Sequence, residues 1–378
     1  MVYFDNAATT PVPKAVADAM YEVLTAHFGN PSSQYPIGVE MKKAVEGWRA
    51  VIAGALGCPA ERLYFTSCGT ESDNWAIQAA LWQNRHRGRH IITTAVEHSA
   101  VLEPCKLLAQ QGYEVTYLKP GRDGNVTAEQ VADALREDTA LVSVMLVNNE
   151  TGCVFPAADI AALLREKGSP ALLHCDAVQG FLKVPCDPEG WGVDLMSLSG
   201  HKVGGPKGVG ALYIGPRVRN PRPLLPGGGQ ERGARSGTEA TAQIAGFAKA
   251  AELRLENLED KLRHMARIRD YAVERLTAIP DLKVLSAPGG APHVLSVSLV
   301  GWPSQNIVND LGQQGICISA GSACHQDKPS HVIAALKLPK RVSGGVIRLS
   351  FGPETAAADI DACAEALQRH HDTRMPML

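Results

Sequence analysis

The sequence predicts an α/β protein, with a large domain built on a mostly parallel central sheet and a smaller α+β domain toward the C-terminus. Short apolar runs alternate with helical patterns from about residue 60 to 215, and such alternation builds parallel sheets covered by helices on both faces. The polar, glycine-containing motifs fall at the carboxyl ends of those runs, where open α/β sheets bind ligands. Beyond residue 240 the alternation gives way to a long helical pattern and then to new strands. A chain of 378 residues is long enough for two domains and a substantial core.

In order, the apolar runs LYFT (63–66), IITTA (91–95), EVTYL (114–118), LVSVMLV (141–147), ALLHC (171–175), LMSL (195–198) and GALYI (210–214) read as strands. Between them, residues 72–83, 101–110, 128–135 and 158–166 carry apolar residues at helical spacing. Residues 241–276, rich in Ala, Glu, Leu and Arg, read as one long helix leading to the second domain. There, residues 280–300 and 316–320 read as strands, 330–337 as helix, 346–350 as strand and 356–370 as a closing helix.

The charge balance is near neutral, 37 basic against 39 acidic residues, and gives no electrostatic reason to expect a nucleic acid or a membrane surface as partner. No apolar stretch approaches the roughly 18 residues of a membrane span. The opening MVYFDNAATTPVP lacks the basic-then-apolar pattern of a signal peptide, so a cytoplasmic protein is expected. The nine cysteines are scattered, odd in number and never spaced CxxC, which argues against a disulfide framework or a metal site. Cys175 and Cys317 lie in strand-like runs and read as buried hydrophobes, whereas Cys324 lies among Gly, Ser, Ala and His in GSACH.

Several residues have the chemistry for a pyridoxal 5'-phosphate enzyme, which needs a Schiff-base lysine and an acid facing a pyridine nitrogen. Lys202, in SLSGHKVGGPKG, follows a strand and precedes glycines; Lys207 competes with it on chemistry alone. Asp176, in HCDAVQG, ends an apolar strand and either faces a pyridine nitrogen or caps the next turn, and Gln179 is placed to reach a phenolic oxygen. In FTSCGTESDN the strand turns at Gly69 into a helix, so Thr70 and the first-turn N–H groups form either an anion cradle or an ordinary N-cap. Ser199 and His201 are further phosphate contacts. His98 is placed to stack on a cofactor ring and exchange protons as a catalytic residue, or to serve structure. Arg348, alternating with apolar residues in VIRLSFG, fits a substrate carboxylate or a surface ion pair, with Asn149 of VNNETG beside it. Cys324 reads as either a mobile nucleophilic thiol or an inert loop cysteine.

Together these motifs resemble the cysteine desulfurases of the NifS/IscS type, within the class V aminotransferase fold of pyridoxal-phosphate enzymes. The resemblance runs through YFDNAATT (3–10), FGNPSS (28–33), FTSCGTESDN (65–74), TTAVEHSAV (93–101), VNNETG (147–152), HCDAVQG (174–180), SLSGHKVGGPKGVG (197–210), GGGQERGARSGTE (227–239), SAGSAC (319–324) and IRLSFG (347–352). It implies a cofactor-binding domain over 13–255, and a small domain formed by 1–12 with 256–378 that carries the cysteine loop. It implies that Lys202 holds the cofactor and moves the substrate Cα proton. Asp176 would pair with the pyridine nitrogen, Gln179 with the phenolic oxygen, and His98 would stack on the ring. Gly69, Thr70, Ser199 and His201 would bind the phosphate. Thr238 would reach the phosphate of a neighbouring subunit in a homodimer. Asn149 and Arg348 would bind the carboxylate of L-cysteine, and Cys324 would take the sulfur as a persulfide for an acceptor protein serving iron–sulfur cluster, thio-cofactor or tRNA biosynthesis. The resemblance departs in two places. The segment after Cys324 is slightly shorter than in long-loop members, and the tail after the last helix is shorter than in members that dock an iron–sulfur scaffold. A selenocysteine lyase or an aminotransferase of the same fold would share most of these residues.

Overall fold

The computed structural model describes residues 1–320 and 330–377. A seven-stranded sheet runs in the spatial order Leu63–Thr66, Gly210–Ile214, Leu195–Ser199, Leu172–Asp176, Thr139–Met145, His90–Thr94, Glu114–Leu118. All seven expected strands are present, with some ends shifted by a residue or two. The last five in this spatial order pair in parallel. Gly210–Ile214 runs antiparallel to both its neighbours, which makes the sheet mixed near one edge. The cause is the connection: Ser199 is joined to Gly210 by a short loop holding only the turn Gly200–Lys202, and a parallel return needs a crossover of a dozen or more residues.

Helix Gly69–Gln83 is covered on nearly every side, with Ser72, Asp73, Trp75, Ala76 and Ile77 all buried. It packs against one face of the sheet with Trp75, Ile91, Leu172 and Leu212. On the other face, Phe155, Phe181, Tyr213 and Phe247 anchor the largest apolar cluster. Two helices that the sequence reading does not include, Lys14–Thr25 and Pro36–Leu56, pack against helix Thr241–Leu255. The single helix expected over 241–276 is two helices, Thr241–Leu255 and Leu258–Thr277. The break is Asn257, whose φ of 52° is left-handed, a conformation asparagine adopts more readily than most residues.

A second, antiparallel sheet has the order Ser319–Ala320, Val346–Ser350, Val294–Leu299, Leu282–Val284. The strand expected over 280–300 is therefore two strands, separated by the glycine- and proline-containing turn SAPGGAP. The run 316–320 is also divided, because Ile316–Cys317 pairs in parallel with Val2–Tyr3. Phe4 is buried with Leu295, Val297, Phe351 and Leu367 in this sheet's own apolar cluster. The N-terminal residues then cross between the sheets. Asp5 bridges to Ser350, the Ala7 N–H donates to Ser350 Oγ at 2.8 Å, and the Thr10 N–H donates to the His201 carbonyl at 3.1 Å. Among the described residues no helix is long and apolar enough to cross a membrane, and no His/Cys/Asp/Glu group has a metal-holding arrangement.

Candidate active site

The strand ends Thr94, Met145, Asp176 and Ser199 lie at one edge of the parallel sheet, and the candidate residues gather in the loops that follow them. Lys202 closes the turn after Ser199. Its Nζ donates to the carbonyls of Ala7 at 2.7 Å and Ala8 at 2.8 Å. Partial burial, reinforced by the Arg348 charge, lowers its proton affinity to a pKa of about 8, while Asp176 and Asp5 act in the opposite sense. A lysine in this state is a usable amine nucleophile and base near neutral pH. Lys207, its rival on sequence, is exposed.

Asp176 is buried at the end of its strand, with Oδ1 accepting the Val178 N–H at 2.9 Å. Burial, with repulsion from Asp73, pushes its carboxyl up to about 7. Gln179 is buried one turn on. Its Nε2 donates to the Ala7 carbonyl at 2.7 Å, and its Oε1 accepts from Lys183 Nζ at 3.2 Å. One carbonyl, Ala7 O, therefore receives both Gln179 and Lys202. His98 caps helix Ser99–Gln110, its Nδ1 accepting the Ala100 N–H at 3.1 Å. Its proton affinity is lowered, chiefly by desolvation, with Lys202 and His331 adding to the effect and Asp176 opposing it.

Gly69 opens its helix with no side-chain cap from Cys68, and Thr70 beside it is exposed. A Cβ at Gly69 would fall 2.7 Å from Val178 Cγ2, so no other residue fits without a shift. Ser199 Oγ is buried and has no partner among the described residues. A buried orphan hydroxyl, an uncapped helix start and an exposed threonine suit a phosphate group. A buried carboxylate with raised proton affinity suits a protonated pyridine nitrogen. The residues thus fit pyridoxal 5'-phosphate. His201 engages the N-terminal segment with one ring nitrogen, its Nδ1 lying 3.2 Å from Thr9 Oγ1, and burial holds its pKa down to about 4. Thr238 is exposed on the loop before helix Thr241–Leu255, and no hydrogen bond of this chain joins it to the other candidates.

Arg348 lies buried in the second sheet. Its Nη1 donates to the Asn149 carbonyl at 2.9 Å and its Nη2 to Asp5 Oδ1 at 2.7 Å. Asn149 therefore meets Arg348 through its backbone. Cys324 lies outside the described residues.

Sequence reasoning missed the groups beneath Asp176. His174 Nδ1 lies 2.8 Å from Ser143 Oγ, and its Nε2 lies 3.0 Å from Ser197 Oγ. Asp73 approaches His174 at 3.5 Å, and burial pushes its carboxyl up to about 7. One signal was available: alternation along the strand puts His174 on the same face as Asp176.

An activated lysine and a buried acid, gathered at the strand ends of an α/β sheet, are the arrangement of an enzyme site. Residues 2–363 match the family Aminotransferase class-V, and the chain belongs to it. A cysteine desulfurase IscS of Methanosarcina thermophila is 42% identical over 369 residues, covering 97% of this chain and 91% of that protein. A solved NifS-like protein superposes with a TM-score of 0.93 at 36% identity, covering 99% of this chain and all (100%) of that one. The structure described as SspA in complex with cysteine superposes with a TM-score of 0.80 at 33% identity, covering 94% and 100% of the two chains.

Proposed function

We infer that the protein is a cysteine desulfurase, which takes sulfur from L-cysteine and leaves L-alanine. The observation that carries this reading is Lys202, activated beside Asp176 and Arg348, in a chain whose relatives over 97% of its length are cysteine desulfurases. We propose that Lys202 carries pyridoxal 5'-phosphate, with Asp176 at the pyridine nitrogen, Gln179 Nε2 toward the phenolic oxygen and His98 over the ring. Gly69, Thr70, Ser199 and His201 hold the phosphate. When bound, the cofactor supplies an electron sink that acidifies the substrate Cα–H and weakens its C–S bond. Arg348 holds the substrate carboxylate, assisted by Asn149. Lys202 Nζ moves the Cα proton. The Cys324 thiolate takes the sulfur, so that L-cysteine and one thiol give L-alanine and one persulfide. A persulfide is a reversible cap, ready to pass sulfur to an acceptor protein.

The division into 13–255 and 1–12 with 256–378 is proposed on the separate apolar clusters of the two sheets. A homodimer is proposed on the exposed Tyr21, Leu24, Phe28 and Tyr35 of the N-terminal helical region, with Thr238 reaching the phosphate site of the neighbouring subunit. A cytoplasmic location and an acceptor for iron–sulfur, thio-cofactor or tRNA synthesis complete the reading.

The test is a single turnover of holoenzyme with L-cysteine and no reductant, beside Cys324→Ala. One alanine per site, with one added sulfur mapped to Cys324 and absent from the variant, is expected. Retained cofactor absorbance with neither product overturns the reading and moves the search to selenocysteine or amino-acid/keto-acid pairs.

A further inference from the structure

The N-terminal crossing touches both cationic groups of the cleft. Its Ala7 and Ala8 carbonyls hold Lys202, and its Asp5 carboxylate holds Arg348. Asp5 is itself fixed from the arginine's own strand. Its backbone bridges to Ser350, two residues beyond Arg348 and on the same face. Its carbonyl accepts the Ala8 N–H at 3.0 Å. The guanidinium is thus tethered at both ends of its fork, at Nη1 by Asn149 O and at Nη2 by Asp5 Oδ1. Its Nε is buried without a partner among the described residues. A guanidinium has five N–H donors, so Nε and one hydrogen on each Nη remain for a planar, two-pronged acceptor.

We propose that Asp5 is a positioning residue for substrate recognition, which locks the Arg348 fork through its hydrogen bond so that the substrate carboxylate meets a preset donor plane. The proposal rests on the reading of Arg348 as the carboxylate anchor. Two effects of Asp5 oppose each other. Its charge repels an incoming carboxylate, and its hydrogen bond removes rotamer freedom that Arg348 would otherwise lose on binding. The Asp5 side chain is 25% exposed, which screens its charge, whereas the arginine side chain is 9% exposed and its freedom is what the tether restrains. Positioning therefore outweighs repulsion.

The test compares L-alanine with ethylamine, the same amine without the carboxylate, as ligands of the holoenzyme, with binding read from the absorbance of the bound cofactor. Asp5→Ala is expected to weaken L-alanine binding about tenfold, the equivalent of about 1.4 kcal/mol, and to leave ethylamine within about twofold. Asp5→Asn keeps an acceptor for Nη2 and is expected to restore L-alanine binding to within about threefold of the native protein. Unchanged or tighter L-alanine binding in Asp5→Ala overturns the proposal, because Asp5 then competes with substrate. Equal losses for both ligands overturn it too, since the damage then lies in the Ala7–Ala8 contacts to Lys202. Asp5→Asn as weak as Asp5→Ala removes its hydrogen-bond basis. If the native holoenzyme binds ethylamine and not L-alanine, the desulfurase reading itself falls, and the proposal with it.

Discussion

Asp176→Asn separates what the buried acid does for stability from what it does for the site. Burial and Asp73 raise the Asp176 carboxyl from 3.8 to about 7 in the folded chain. Between those two values the unfolded chain has released this proton and the folded chain still holds it. Stability therefore falls as pH rises through the window, and the loss is complete above the folded value. About three units at 1.36 kcal/mol each bound the effect at roughly 4 kcal/mol near pH 8, with less than about 1 kcal/mol near pH 4. Asparagine retains an oxygen for the Val178 N–H, so the local turn stays paired. Urea unfolding of the cofactor-free protein is therefore expected to show Asp176→Asn as the more stable form at pH 8, with the gain shrinking steadily toward pH 4.5. Turnover of the same variant should collapse, because asparagine cannot match a pyridinium charge. A stability difference that does not change with pH, or an asparagine variant less stable at pH 8, refutes the argument.

Gly69→Ala places a methyl 2.7 Å from Val178 Cγ2 and 3.6 Å from Ser199 Cβ. Overpacking of this kind costs about 1–3 kcal/mol, and here it falls on the phosphate cradle, so cofactor should be lost faster on dialysis, as followed by absorbance. Glu231→Ala removes the buried partner of Arg49, since the two form a bidentate pair at 2.7 and 2.8 Å and Glu231 also accepts the Phe65 N–H at 2.8 Å, and leaves the arginine with the more exposed Glu46 and the Leu63 carbonyl. Removing one partner of such a pair costs about 3–5 kcal/mol, to be read from the urea midpoint, with Glu231→Gln recovering part of it.

Six of the seven large-domain strands were legible because each is a run buried along its whole length or nearly so, with ends marked by polar motifs; the edge strand Glu114–Leu118, where only Leu118 is buried, was legible from its alternation and β-branched and aromatic residues. The antiparallel direction of Gly210–Ile214 was not, since its composition matches its parallel neighbours and only the length of the preceding loop sets its direction. Helix Lys14–Thr25 hides for another reason. Its buried Val16 and Val23 and half-buried Ala19 and Met20 do recur at helical spacing, but the exposed Tyr21 and Leu24 interrupt that stripe in the sequence. In the candidate site, the placement of Asp176 at a strand end and of Lys202 just after one was legible because a polar side chain closing an apolar run is conspicuous. Asp73 was not, because an acid near a helix start reads as an ordinary first-turn residue, and its raised proton affinity comes wholly from burial. Lys183 and Asp5 act through one hydrogen bond each toward other candidates, and sequence spacing carries no trace of those bonds.

The charges around Lys202 also indicate when it becomes a base. Burial most of all, and then Arg348, lower its proton affinity, whereas Asp176 and Asp5 raise it by less. Asp5 and Arg348 form a pair of near-zero net charge, so their combined field at Nζ is small beside the burial effect. On the proposed reading of Arg348, an arriving substrate carboxylate would add a negative charge without removing Asp5. That would raise the proton affinity of Lys202 at the moment a Cα proton has to be taken up. In the free chain Nζ donates to the Ala7 and Ala8 carbonyls, so those two hydrogen bonds compete with any new partner of the amine. The segment 5–8 thus touches both groups: its Asp5 carboxylate pairs with Arg348, and its Ala7 and Ala8 carbonyls accept from Lys202.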